Sequence, residues 1–189
     1  IYNYGDETTI STTVSKFGGS SGYFTGVYSY LNIATNALFA FGTGDFTVEL
    51  WAYPTSYPGS DLSSLIDTRS SVSSGGLLIW IGADQKWVCY TSANGNATQR
   101  NISSLSNASL NTWTHLRATR YNGVICFYIN GILQGTMGVS GSADDLSPSN
   151  TSTVHIGTAI DDPGNSRMYA GYIDDLRVVK GADLYNKAL

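Results

Sequence analysis

The segment TRYNGVICFYINGILQ, residues 119–134, carries Asn-Gly at 122–123 and again at 130–131, each pair flanked by apolar and aromatic residues. A two-residue turn between antiparallel strands needs positive φ at both turn positions, and Asn followed by Gly adopts that conformation with little strain. The segment therefore predicts a three-stranded meander. The turn also fixes the register: Tyr121 pairs with Val124, Thr119 with Cys126, Arg117 with Tyr128 and Leu116 with Ile129. Side chains alternate across a strand, so Leu116, Ala118, Ile125, Phe127 and Ile129 share one face, which reads as a core wall. The opposite face carries His115, Arg117, Thr119, Tyr121, Cys126 and Tyr128. It is too polar to bury beneath a second sheet and is expected to stay free for recognition.

Alternation of this kind recurs along the chain, whereas helical periodicity almost never does. DFTVELWAYP (45–54) alternates until Pro54 stops it, and GLLIWIGADQKWVCYT (76–91) reads as two strands around a turn at Ala83–Lys86. STVHIGTA (152–159) and MYAGYIDDLRVVKG (168–181) supply later strands, while the Ser- and Asn-rich stretches 59–75, 92–111 and 138–151 read as loops. A single helical turn is expected near 181–187. Roughly a dozen short strands separated by turns predict an all-β fold, an antiparallel two-sheet sandwich, and 189 residues suit one domain.

Charge narrows the range of partners. Only 13% of residues are charged and the formal net charge is −4, which argues against a nucleic-acid partner. No apolar run approaches the ~20 residues of a helical membrane span. Cys89 and Cys126 are the only cysteines and read as two half-buried thiols rather than a disulfide framework.

The blocks KFGGSSGYFTG (16–26), FGTGDFTVELWAYPTS (41–56), GLLIWIG (76–82), the meander 111–136, VHIGTA (154–159) and GYIDDLRVVKGADLY (171–185) stand in a telling order. That order resembles laminin-G-like domains of the concanavalin A-like lectin and glucanase superfamily. The sequence is similar above all to the laminin-G-like modules of bacteriophage tail and capsid-surface proteins. The resemblance implies a concanavalin A-like jelly-roll sandwich over residues 14–189, with residues 1–13 an N-terminal arm or the remnant of a preceding strand. It also implies a non-catalytic role in adhesion or carbohydrate binding. Such modules carry a further strand beside the last one and run on past the ADLY position. The chain is therefore expected to be an excerpt of a longer polypeptide, or to receive that strand from a neighbouring subunit.

The chemistry legible in the sequence fits this role. A retaining glucanase needs two carboxylates about 5–5.5 Å apart across the scissile bond. Here Glu49 is the only acid on its strand, and the adjacent Asp174 and Asp175 are expected to point to opposite faces. The chain is accordingly expected not to be an enzyme. Asp174, inside an apolar strand, is expected to accept hydrogen bonds from a neighbouring loop. Sugar binding needs an aromatic platform with planar polar groups beside it, and His115, Arg117, Tyr121 and Tyr128 on the polar face of the meander supply both. Trp51 and Tyr53 share a face of their own strand and join one layer or the other. Exposed tyrosines suit subunit contacts equally well, so an oligomer with other virion or surface subunits stands as an alternative use of this face. Asp161, Asp162 and Asn165 in IDDPGNS form a candidate Ca2+ site, although the same residues are also good turn formers. The expected setting is a virion displayed outside cells. The alternative is a secreted or cell-surface bacterial carbohydrate-binding module or filament subunit.

Overall fold

A computed structural model describes residues 2–4, 7–34, 37–59, 61–71, 74–94, 98–147, 154–161 and 166–185. Among them run fourteen strands: β1 (Tyr2–Tyr4), β2 (Thr9–Ser11), β3 (Ser21–Thr25), β4 (Tyr30–Ile33), β5 (Phe46–Pro54), β6 (Leu62–Asp67) and β7 (Gly76–Gly82). The second half comprises β8 (Lys86–Ser92), β9 (Gln99–Asn107), β10 (Thr114–Tyr121), β11 (Val124–Ile129), β12 (Ile132–Gly138), β13 (Val154–Ile156) and β14 (Ala170–Lys180). They form two seven-stranded sheets, β1-β4-β13-β6-β7-β8-β9 and β12-β11-β10-β5-β14-β3-β2. Every named pairing is antiparallel, and the two layers make the expected jelly-roll sandwich.

Both Asn-Gly pairs turn as the sequence requires. Asn122 and Gly123 have φ of 47° and 86°, and Asn130 and Gly131 have 50° and 80°. A Cβ at Gly123 would stand 2.4 Å from the carbonyl oxygen of Val139, so packing as well as φ reserves this position for glycine. The register of β10 on β11 is the predicted one, Tyr121 opposite Val124 through Leu116 opposite Ile129.

The core lies between the sheets. Leu116, Ala118, Ile125 and Phe127 join Phe46, Val48, Leu50 and Ala52 from β5 and meet Leu77, Ile79, Ile81, Trp87 and Cys89 from the first sheet. Phe46, Val48, Ala52, Leu77, Ile79, Ile81, Leu116, Ala118 and Phe127 are completely inaccessible to solvent, the dry interior that stabilises such a fold.

Arg120 also belongs to the core face of β10 and is itself fully buried. No described carboxylate pairs with it. Its guanidinium instead donates to backbone carbonyls: Nε to Gly44 (2.8 Å), Nη1 to Asp144 (2.9 Å) and Nη2 to Gly42 (2.7 Å). Burial pulls its pKa below the usual arginine value. The planar five-donor fork suits this cage, because it satisfies several loop carbonyls from one side chain.

Several expectations need correction. The stretches 59–75 and 92–111, read as loops, contain β6 and β9. In β6 Ser63 and Ser64 are both buried, and Ser63 Oγ donates to the carbonyl of Met168 at 2.9 Å. Strand β9 is an edge, inward only at Ile102 and Ser104, and its polar composition is that of an edge protected against further pairing. At 181–185 there is a turn and no helix, and residues 186–187 lie outside the described residues. A 3-10 turn is found at Ala37–Phe39. Both cysteines are unbonded, as expected, but buried rather than half-buried, Cys89 completely, and burial pushes the Cys89 thiol up.

Within 1–13, β1 and β2 are the edge strands of the first and second sheets. Strand β14 has β5 along one side from Gly171 to Lys180, and β3 on the other over Ala170–Ile173. Past Ile173 that second side has no strand partner among the described residues. There Asp174 Oδ2 accepts the backbone N–H groups of Lys16 (2.9 Å) and Phe17 (3.0 Å), the loop contact expected of it. A bulge between Asp174 and Arg177, with Asp175 at φ 48°, breaks the alternation here and leaves Asp175 in solvent.

Candidate functional site

The outer face of the second sheet brings the four predicted side chains onto one surface. On β10 these are His115, Arg117 and Tyr121; β11 adds Tyr128 opposite Arg117, and β5 sets Glu49 opposite Arg117 and Trp51 opposite His115. Arg117, Tyr121 and Tyr128 line a concave pocket of about 640 Å3 whose far wall is Asp183, Leu184 and Tyr185. The Arg117 guanidinium carbon is 4.1 Å from the ring centroids of both Tyr128 and Tyr185. Such stacking holds the side chain in place while leaving donors in the guanidinium plane.

His115 lies outside the pocket. Its ring packs 5.1 Å from that of Trp51, and its Nε2 is 3.4 Å from Glu49 Oε2. Half-burial outweighs the pull of Glu49 and lowers its pKa below the ordinary histidine value. The unfolded chain therefore takes up a proton near pH ~6.5 that the folded chain declines until lower pH. Stability contributed by His115 is complete above that pH and falls as the pH drops through it. Urea midpoints of the wild type should accordingly decline from about pH 7.5 to about pH 5, with a shallower decline in His115→Gln.

This face is less open than the sequence suggested, because the chain folds back over it. Thr47 Oγ1 accepts the backbone N–H of Leu184 at 3.1 Å, and Tyr185 Oη donates to the Glu49 carboxylate, 3.0 and 2.9 Å from its two oxygens. Arg177 closes the other side of Glu49, with Nε 2.7 Å from Oε1. Glu49 is consequently only 3% exposed. Another acid beside this face, Asp174, is likewise engaged, by the Lys16–Phe17 backbone. Both carboxylates thus hold the chain's own segments in place, which is a positioning role.

Beside the pocket runs an aromatic row that sequence reasoning missed in part. Tyr172 on β14 pairs in register with Tyr53 on β5 and Tyr23 on β3. The ring centroids are 4.8 Å apart for Tyr23–Tyr172, 5.7 Å for Tyr172–Tyr53 and 5.4 Å for Tyr53–Trp113. Trp51 continues the surface, with Lys16 Nζ 4.1 Å over its ring. All of these rings are half-buried. Trp51 and Tyr53 therefore join the outer layer. No local pattern could have placed Tyr23, Trp113 and Tyr172 beside them, because only the order of strands brings them together.

Of the candidate calcium residues, Asp161 stands apart from this face, in the turn that follows β13. Asp161 pairs with Arg167 and lies 3.6 Å from Arg69 Nη2, so cationic side chains already occupy its carboxylate. Asp162 and Asn165 lie outside the described residues. Among the described residues no group of three or more His, Cys, Asp or Glu is placed to hold a metal ion.

Residues 24–183 match the laminin G 3 family of the concanavalin A-like lectin/glucanases superfamily. The chain belongs to this family. A comparison with curated protein sequences found no significant match. Among solved structures, the laminin G-like domain is similar to domain 4 of AbnA, an extracellular arabinanase of Geobacillus stearothermophilus solved with arabinotriose. The TM-score is 0.69 at 18% identity, over 94% of this chain and 77% of that one. It is also similar to the CBM40 of a Ruminococcus gnavus sialidase bound to sialyllactose, with TM-score 0.61 and 11% identity over 79% and 88%. A third is the heptameric pentraxin of Limulus polyphemus, with TM-score 0.58 and 19% identity over 82% and 73%. At these identities the likeness is one of fold. No helix among the described residues is long and apolar enough to cross a membrane.

Proposed function

We propose that this laminin G-like domain is a non-catalytic adhesion module that binds cell-surface glycans on the outer face of its second sheet, displayed outside cells on a virion. The observation that carries the reading is the joining of two features on that face. One is a pocket walled by Arg117, Tyr121 and Tyr128; the other is the aromatic row from Tyr23 to Trp113. Rings offer the apolar face that a sugar's C–H groups stack on, and the planar donors beside them satisfy its hydroxyls. Two structural neighbours were solved with a bound saccharide, which supports a similar use of this fold. The virion setting rests on the resemblance of FGTGDFTVELWAYPTS and GYIDDLRVVKGADLY to virion modules. The similarity to a domain of an extracellular arabinanase favours a second carrier, a secreted or cell-surface bacterial protein.

A glycan array followed by calorimetry tests binding. At least one oligosaccharide is expected to bind with Kd on the order of millimolar or tighter, and Tyr128→Ala or Trp113→Ala is expected to weaken it by about tenfold. Failure of every glycan, with assembly of the protein into oligomers, would assign the face to subunit contact instead. Neighbouring capsid and tail genes would support the virion, and a secretion signal in the full gene the bacterial carrier.

A further inference from the structure

We infer that the pocket selects a carboxylate-bearing saccharide, of the sialic acid or uronic acid class, with Arg117 as the residue that reads the carboxylate. The inference rests on the glycan-binding reading and names the ligand class of that same site. The chain has six arginines. Arg69, Arg100, Arg167 and Arg177 are each paired with a carboxylate, and Arg120 is caged by carbonyls. Arg117 is the exception: among the described residues it has neither a carboxylate nor a carbonyl partner. Its Nε is enclosed without any hydrogen-bond partner.

A guanidinium held against two tyrosine rings in a half-buried wall has lost part of its hydration and gained no anion in return. Buried charges are ordinarily paired, so an unpaired one lining a cavity marks where a ligand anion completes the site. A carboxylate is the matching shape, because its two oxygens accept the parallel N–H groups of the fork. The pocket's own acid, Asp183, forms no ion pair with Arg117; its Oδ1 accepts the backbone N–H of Tyr185 at 2.9 Å. Cation and anion of the pocket are thus held apart, leaving Arg117 for the ligand and a carboxylate oxygen for a sugar hydroxyl.

The test titrates the whole chain with sialyllactose and lactose, and with a galacturonic acid trimer and its methyl ester. The carboxylated member of at least one pair is expected to bind ~10-fold tighter or better, and rising salt should weaken it selectively. Arg117→Gln should abolish the difference within the pair, so that the carboxylated and neutral members bind this variant equally, with thermal unfolding confirming that the variant is folded. Should that variant fail to fold, the Nε–H resonance of Arg117 in the 15N-labelled wild type gives the same answer. It shifts with the carboxylated sugar and stays with the neutral one. Equal binding of carboxylated and neutral members overturns the inference and leaves the glycan-binding reading intact. Binding of none of the four at concentrations on the order of millimolar also overturns the inference, while the glycan-binding reading falls only if every glycan of the array fails.

Discussion

Arg120→Met is expected to lower the unfolding free energy by about 3 kcal/mol and the melting temperature by roughly 10 °C. Methionine has similar reach and packs well, so the loss does not come from a cavity. It comes from the carbonyls of Gly44 and Asp144, which stay behind in the protein interior without the guanidinium donors, and from Gly42, whose carbonyl keeps only the backbone N–H of Leu146. Those carbonyls belong to two separate loops, 41–45 and the one carrying Asp144, and Arg120 is the side chain that joins them. Arg120→Lys keeps the charge but presents a compact ammonium in place of a fork, so it should recover only part of the loss. Differential scanning calorimetry of the three proteins distinguishes these outcomes. Wild-type stability in Arg120→Met would show that the loops hold without the cage.

The neighbouring substitutions Phe127→Ala and Tyr128→Ala are expected to fail in opposite ways. Phe127 is fully buried against both layers, and its truncation should destabilise the domain by about 3–5 kcal/mol through lost burial and the cavity left behind. Tyr128 faces outward over Arg117, and its truncation should change stability by less than about 1 kcal/mol while weakening glycan binding about tenfold. The contrast follows from the two-residue period of a strand, which sends adjacent side chains to opposite faces. Denaturation and titration of both variants check it together. Equal destabilisation by the two would mean that the face of Tyr128 is structural.

Much of the architecture was legible because local chemistry and global pairing agreed. The Asn-Gly turns fix φ, φ fixes the loop length, and loop length fixes which residues of β10 and β11 face the core. Strands β6 and β9 were hidden for a physical reason. Some of their buried positions, Ser63 and Ser104 among them, use serine where the pattern demands an apolar residue, and the cost of burying the Ser63 hydroxyl is met by a bond to Met168, which lies far away in sequence. Arg120 was hidden in the same way: it sits at a core position but is satisfied by carbonyls from loops that only the folded chain brings near.

The site divides similarly. His115, Arg117, Tyr121 and Tyr128 share a face by strand period alone, which a sequence reveals. Tyr185 over Glu49 and Tyr172 between Tyr23 and Tyr53 depend on tertiary course and strand order, which it does not. The result is a face with a built wall, a roof from the chain's own later residues, and an aromatic flank.

Chemical-shift mapping of the 15N-labelled domain during titration with a bound oligosaccharide tests this placement directly. The shifts should concentrate on Arg117, Tyr128, Tyr53 and the Trp113 indole. Shifts confined instead to Trp80 and Tyr90, on the outer face of the first sheet, would contradict it.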